Sequence, residues 1–255
     1  MPAENRGVID NSRRRPPPDL LAATLLLLTA TTGLVDAVAF LGLGRVFTAN
    51  MTGNVVFLGF AIAGAKGLSV SASVLALSCF LVGALAGGRL AVAMDGRSRR
   101  QWMMIATSGE ALLLAGAAVA AIGVPVDGTF ERGWPIVAMT AAAMGVRNAT
   151  VRRLGVADLT TTVLTLTLTG IAADSSLAGG SNPRPVRRVG SVVAMFSGAL
   201  VGAVLVLHQG LVWPLLIACG LAVLAIGAFS LQPDATPSPA NTGAPATPTG
   251  SARSG

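Results

Sequence analysis

The sequence predicts an all-α membrane protein with about six transmembrane helices and two interrupted, re-entrant helical segments, arranged as two inverted structural repeats. Three observations carry this expectation. Charged residues make up 11% of the 255-residue chain and hydrophobic residues 53%, whereas a soluble domain carries about 25% charged residues. Six apolar runs reach the roughly 20 residues that one bilayer crossing needs. The two halves of the chain also present their elements in the same order.

Taken in order, residues 1–19 are polar and hold Arg13, Arg14 and Arg15 followed by Pro16, Pro17 and Pro18. They read as a disordered cytoplasmic arm, because the run that follows is span-length and leads into further spans, unlike a cleavable leader. The membrane domain covers residues 20–231. Its spans run approximately Leu20–Leu41, Ser71–Met94, Trp102–Gly123, Trp134–Leu154, Val189–His208 and Val212–Leu231. Trp102, Trp134 and Trp213 stand at span starts, the usual place of interfacial anchors. Two further segments, Val46–Gly64 and Asp158–Asp174, are apolar but begin with polar residues. Residues 232–255 are rich in Pro, Thr, Ser, Ala and Gly and read as a disordered cytoplasmic tail.

The repeats are about 20–123 and 134–231. Phe80-Leu81-Val82-Gly83-Ala84-Leu85-Ala86-Gly87 matches Phe196-Ser197-Gly198-Ala199-Leu200-Val201-Gly202, with one residue dropped. Trp102 with Gly109 is echoed by Trp213 with Gly220, and Thr52 falls opposite Thr165. The offsets all lie at about 111–116 residues.

The arginines choose the topology. With six spans, Arg89, Arg97, Arg99, Arg100, Arg147, Arg152, Arg153, Arg184, Arg187, Arg188 and Arg253 fall on the side of the N-terminal arginines. Only Arg45, Lys66 and Arg132 fall opposite. Eight spans would split the charges almost evenly, against the positive-inside bias. Six spans place both termini in the cytoplasm of a bacterial inner membrane, with one re-entrant segment entering from each face. Paired interrupted segments in matching positions point to a binding site near mid-membrane.

Composition also excludes function classes. The net charge of +7 comes almost wholly from arginine. These arginines sit in short clusters between apolar runs, as in cytoplasmic loops, which argues against nucleic acid. Cys79 and Cys219 lie inside apolar runs, and His208 has no nearby Cys, Asp or Glu. No metal spacing, disulfide framework, phosphate loop or nucleophile elbow is present. The expectation is therefore no enzyme, no catalytic residue, no metal and no cofactor.

Gly33-Leu34-Val35-Asp36-Ala37, followed by Phe47-Thr48-Ala49-Asn50-Met51-Thr52-Gly53-Asn54, resembles the YoaK family of bacterial integral membrane proteins, catalogued as a domain of unknown function. Gly145-Val146-Arg147-Asn148-Ala149 and the threonine run after it resemble that family's later motif. Leu166 stands where a Gly commonly follows the Thr. The resemblance covers roughly Leu20 to Leu231. It implies a polytopic membrane protein and brings no substrate.

The candidate site residues are polar groups at membrane depth. Asp36 lies about two-thirds across the first span and Glu110 near the middle of the third. An intramembrane acid costs roughly 2.5–3.5 kcal/mol even on the lenient insertion scale, so it faces a partner, the bundle interior or a water path. Arg147, with Asn148 beside it, could reach Glu110 as a buried charge partner. Asn50, Thr52, Gly53 and Asn54 offer amides, a hydroxyl and a flexible backbone to a small polar solute or ion. The competing reading is helix capping by Thr52 or Asn54. In the second segment Thr161 and Thr165 share a helix face, and Thr162 adjoins them. Threonine hydroxyls in membrane helices also bond their own backbone with no further role. Gly83/Gly87 and Gly198/Gly202 have the spacing of close helix packing.

Two functions compete. One is a small-solute or ion transporter or channel with a polar site at mid-depth. The other is a non-transporting membrane assembly or sensing component whose buried polar groups are structural. Either has the lipid bilayer as partner, and homo-oligomerisation stays open.

Overall fold

The computed structural model describes residues 20–126, 130–155, 164–181 and 185–231. Every regular element among them is helical: α1 (Leu20–Gly42), α2 (Met51–Ile62), α3 (Val70–Ala93), α4 (Arg99–Ala120), α5 (Phe130–Leu154), α6 (Leu164–Ala173), α7 (Pro185–Gln209) and α8 (Val212–Ser230), with a single 3₁₀ turn at Ser176–Ala178. Five helices, α1, α3, α4, α7 and α8, are long and apolar enough to cross a membrane. The 25-residue α5 is as long but falls outside that set; it carries Arg147 and Asn148 within its apolar stretch. The 12-residue α2 and 10-residue α6 reach about 18 and 15 Å at 1.5 Å per residue. A hydrocarbon core is about 30 Å thick, so neither helix spans it alone.

Burial separates inner from outer helices. In its most apolar stretch α1 is 67% buried, against 28% for α3 and 22% for α7. α1 therefore runs through the middle, covered by α5, α7 and α8. α3 and α7 point Leu81, Val82, Phe196 and Leu207 outward, as lipid-facing helices do. The core is built mainly from small residues, including Ala72, Ala76, Ala117, Ala141 and Ala218, which lets backbones approach closely.

Two helix crossings repeat one design. Where α1 meets α7, a methyl on Gly33 would overlap the Met195 carbonyl and lie 2.6 Å from Ala199 N, while one on Gly198 would strike the backbone of Ala30. Where α3 meets α5, a methyl on Gly145 would overlap the Phe80 carbonyl and lie 2.7 Å from Ala84 N, while one on Gly83 would strike the backbone of Ala142. Gly87 and Gly202 then meet Ala149 and Ala37 one turn on. The glycines that sequence spacing marks for packing thus touch backbone directly.

Several boundaries differ from the sequence expectation. α4, α5 and α7 start three or four residues earlier than the apolar runs, at Arg99, Phe130 and Pro185, because a helix continues into the polar interface beyond its apolar stretch. Trp102 consequently sits inside, packed with Leu25, Met103, Ala225 and Phe229, whereas Trp134 and Trp213 are exposed. α2 starts at Met51, since the residues before it form a folded loop rather than helix.

Candidate functional site

The polar residues divide into two buried groups at different depths. The deeper one centres on Arg147, in the second half of α5. Its Nε donates to Glu110 Oε2 at 3.0 Å, and its Nη2 donates to Glu110 Oε1. Its Nη1 donates to the Leu28 carbonyl at 2.6 Å and to Thr32 Oγ1 at 2.9 Å. Arg147 and Glu110 are 2% and 1% exposed. One guanidinium therefore ties the second half of α5 to the middle of α1 and of α4. Such a forked pair is the strongest hydrogen-bonded arrangement two side chains can make, and dry surroundings make it costly to break.

The local sequence explains why α1 can receive an arginine. Thr24, Thr29, Thr31 and Thr32 each donate to the carbonyl four residues back. Their hydroxyls are thus satisfied within α1. Thr32 leaves its lone pairs for Arg147, and the Leu28 carbonyl receives both.

A small cavity adjoins this pair. Leu25, Leu28, Met103, Ala106, Thr107, Thr150, Val151, Leu154 and Phe229 line it together with Glu110 and Arg147. It lies in the half of the bundle where α1 and α4 begin and where α5 and α8 end. Its free space holds about one water molecule. Thr150 donates to the Val146 carbonyl at 2.9 Å. Cys219 on α8 packs behind Glu110, its Sγ donating to the Ala111 carbonyl at 3.5 Å.

The second group closes the opposite end of α1. Asp36 is buried, and its Oδ1 accepts from the backbone N–H groups of Thr48 and Ala49, both at 2.9 Å. Asn54 is fully buried. It accepts from Phe47 N at 2.9 Å and donates to the Phe47 carbonyl at 2.5 Å. These two side chains hold the loop after α1 from both sides. Leu43, Val46, Thr48 and Ala49 of that loop are buried, and Gly44 and Arg45 make the left-handed turn that starts it. Phe40, Phe47 and Phe57 stack beside it with ring centroids 5.0–6.0 Å apart.

The remaining candidates fall as follows. Asn50 is exposed and caps α2, accepting from Gly53 N at 3.4 Å. A methyl on Gly53 would meet the Phe47 ring at 2.8 Å, so this glycine serves close packing against that ring. Thr52 and Thr165 are exposed, and the Thr165 carbonyl accepts from Thr169 Oγ1 at 2.9 Å. Asn148 donates to the Met144 carbonyl at 2.8 Å. Thr161 and Thr162 lie outside the described residues. The structure therefore brings Glu110 and Arg147 together and keeps Asp36 apart from them, held by its own loop.

Sequence reasoning missed Thr32 and the Leu28 carbonyl as partners of Arg147. The cluster Thr29, Thr31, Thr32 within an apolar span was the available signal. It also missed Arg188, on α7, which donates to the Gly170 carbonyl at 2.7 Å and pairs with Asp174 at 2.8 Å. Asp174, the last residue of the second polar-headed segment, is the half-exposed partner that helps dock α6 onto α7.

Over 83 residues the chain is 41% identical to the UPF0700 transmembrane protein YoaK of Bacillus subtilis (strain 168). That match covers 32% of this chain and 35% of the relative's length. No solved structure matches the chain. A family model described as Protein of unknown function (DUF1275) matches residues 24–228. Most of the membrane domain lies within that match, so the chain belongs to the DUF1275 family, to which the YoaK-like resemblance of its two motifs pointed.

Proposed function

We propose that the chain is a small-solute or ion transporter with its solute site at mid-membrane, beside Arg147 and Glu110. The observation that carries this reading is a buried ion pair that borders a small cavity in one half of the bundle. An ion pair needed only for packing has no reason to border free space. Ionisable residues inside membrane segments mark solute and proton paths more often than not.

The scaffold suits this role as two inverted repeats of three crossings each. α1, α3 and α4 form the first set and α5, α7 and α8 the second, with α2 and α6 as the short re-entrant elements. The matched glycine crossings of α1 with α7 and α3 with α5 support the pairing. The arginine distribution supports a bacterial inner-membrane topology with both termini, and the half of the bundle that holds the cavity, on the cytoplasmic side. The loop latched by Asp36 and Asn54 then closes the outer side.

Uptake into vesicles holding the purified protein tests the reading. A panel of small anions, cations and neutral solutes is offered to wild type and to Glu110→Gln and Arg147→Met. Uptake of at least one solute, reduced at least about tenfold in a folded variant, supports transport. If no solute moves faster than into empty vesicles, the non-transporting assembly or sensing role takes its place.

A further inference from the structure

We propose, resting on the transporter reading, that Arg147 takes a small monocarboxylate, that the anion displaces Glu110, and that one proton enters with it. The shape of the pair suggests the ligand. The Nε and Nη2 edge of Arg147 already engages a carboxylate through both oxygens; that planar fork suits carboxylates and phosphates alike, and the single charge that the site balances selects the carboxylate. Its Nη1 is held separately by the Leu28 carbonyl and Thr32 Oγ1. The fork therefore stays aimed when Glu110 leaves, which lowers the cost of exchange.

The cavity limits the rest of the ligand. Leu28, Met103, Val151 and Phe229 supply apolar walls, and Thr107 and Thr150 the polar side chains apart from the ion pair. A second charge on the ligand would be buried without a partner, which disfavours dianions. The free space holds about one water molecule, so the ligand fits only as the Glu110 side chain swings out, and the smallest carboxylates are favoured.

The proton follows from what is left behind. A displaced Glu110 would be a buried carboxylate with no cation. On the elements packed against α4 the titratable and charged groups, among the described residues, are Arg132, Arg147, Arg152 and Arg153 on α5, the thiol of Cys219 on α8, and Cys79 and Arg89 on α3; of these Arg147 alone hydrogen-bonds Glu110, and Asp36 of α1 is held by Thr48 and Ala49 N–H. A carboxylate stranded in this way neutralises by taking a proton. The ligand arrives as an anion and exchanges onto Arg147, and one proton moves from water to the Glu110 carboxylate. No covalent bond in the ligand changes, nothing is oxidised or reduced, and the site's net charge stays at zero.

Calorimetry on the purified full chain in nanodiscs, in buffers of different ionisation enthalpy, reads the coupling directly. Formate, acetate and propionate are the probes, with glycerol and methylammonium as neutral and cationic controls. The expected result is about one proton taken up per anion bound and an apparent Kd that tightens up to about tenfold per unit fall in pH. In Glu110→Gln the anion binds with no proton uptake and no such pH dependence. In Arg147→Lys binding weakens at least about tenfold, as the fork is lost. If Glu110→Gln does not fold, the proton count on wild type decides. Binding without proton uptake overturns the proposal, as does binding of the controls in place of the anions. If no monocarboxylate binds while vesicles still accumulate another solute, this inference falls and the transporter reading stands; if vesicles accumulate nothing, both fall.

Discussion

Replacing Arg147 by Met strands Glu110. Both hydrogen bonds to the Glu110 side chain come from Arg147, and the residue is 1% exposed. Removing one member of a buried pair costs about 3–5 kcal/mol. For a chain of this size 1 kcal/mol moves Tm by about 2–4 °C, so Arg147→Met melts some 6–20 °C below wild type. Glu110→Met is expected to do similar harm, since the guanidinium keeps only Leu28 O and Thr32 Oγ1 as acceptors. The double replacement E110M/R147M behaves differently. It removes both charges and fills the space with apolar atoms, and Thr32 retains its bond to the Leu28 carbonyl. Such exchanges are neutral or stabilising by about 1–4 kcal/mol. Melting curves of all four proteins in one detergent give the coupling energy as a thermodynamic cycle. Single variants within about 2 °C of wild type, or a double variant worse than either single, would refute a dry, mutually dependent pair. A double variant that is stable but transports nothing would separate the pair's role in stability from its role in function.

Three other outcomes are expected. Asp36→Leu leaves the N–H groups of Thr48 and Ala49 buried and unmatched, costing about 1–3 kcal/mol for each. Asp36→Asn keeps an acceptor and loses less than half as much, and equal losses by melting would contradict the loop latch. Gly33→Val and Gly145→Val each drive a side chain into a facing backbone and cost about 3 kcal/mol, the upper end of the usual overpacking range. Gly59→Ala meets open space and shifts stability by no more than about 1 kcal/mol; a null result for both valines would remove the close-crossing account. In whole cells, a cysteine at exposed Lys66 is labelled by an impermeant maleimide from outside, and one at exposed Ser181 only after permeabilisation. The reverse pattern would invert the topology.

The long helices were legible because 20 apolar residues in a row have one common solution in a bilayer. Their ends were less so, as Arg99 and Pro185 continue a helix that hydropathy alone would end sooner. The polar heads show where sequence reading loses its grip. Asn54 and Asp36 stand out as costly residues at depth, but sequence does not say whether such a side chain meets a solute or its own backbone. Here Phe47, Thr48 and Ala49, only 7 to 13 residues away, take them up. Glu110 and Arg147 lie 37 positions apart. Their meeting depends on how α4 and α5 rotate against each other, which follows from packing of small residues and leaves a faint mark in the text. Thr32 is fainter still, because a threonine in an apolar helix reads the same whether or not an arginine leans on it.

The central place of α1 also has a consequence in time. α1 is the first of these helices to leave the ribosome, and its main covers, α7 and α8, are among the last. Roughly 150 residues separate Gly42 from Met195, or about 8–30 s of synthesis at 5–20 residues per second. During that wait α1 would have to sit in lipid with four threonines and an aspartate. Its polar groups are provided for from nearby sequence. The hydroxyls bond within the helix, and Asp36 is met by N–H groups that emerge 12 and 13 residues later. The nascent chain thus carries its own temporary solution to membrane insertion, and the late helices supply the close contacts at Gly33 that make the arrangement permanent.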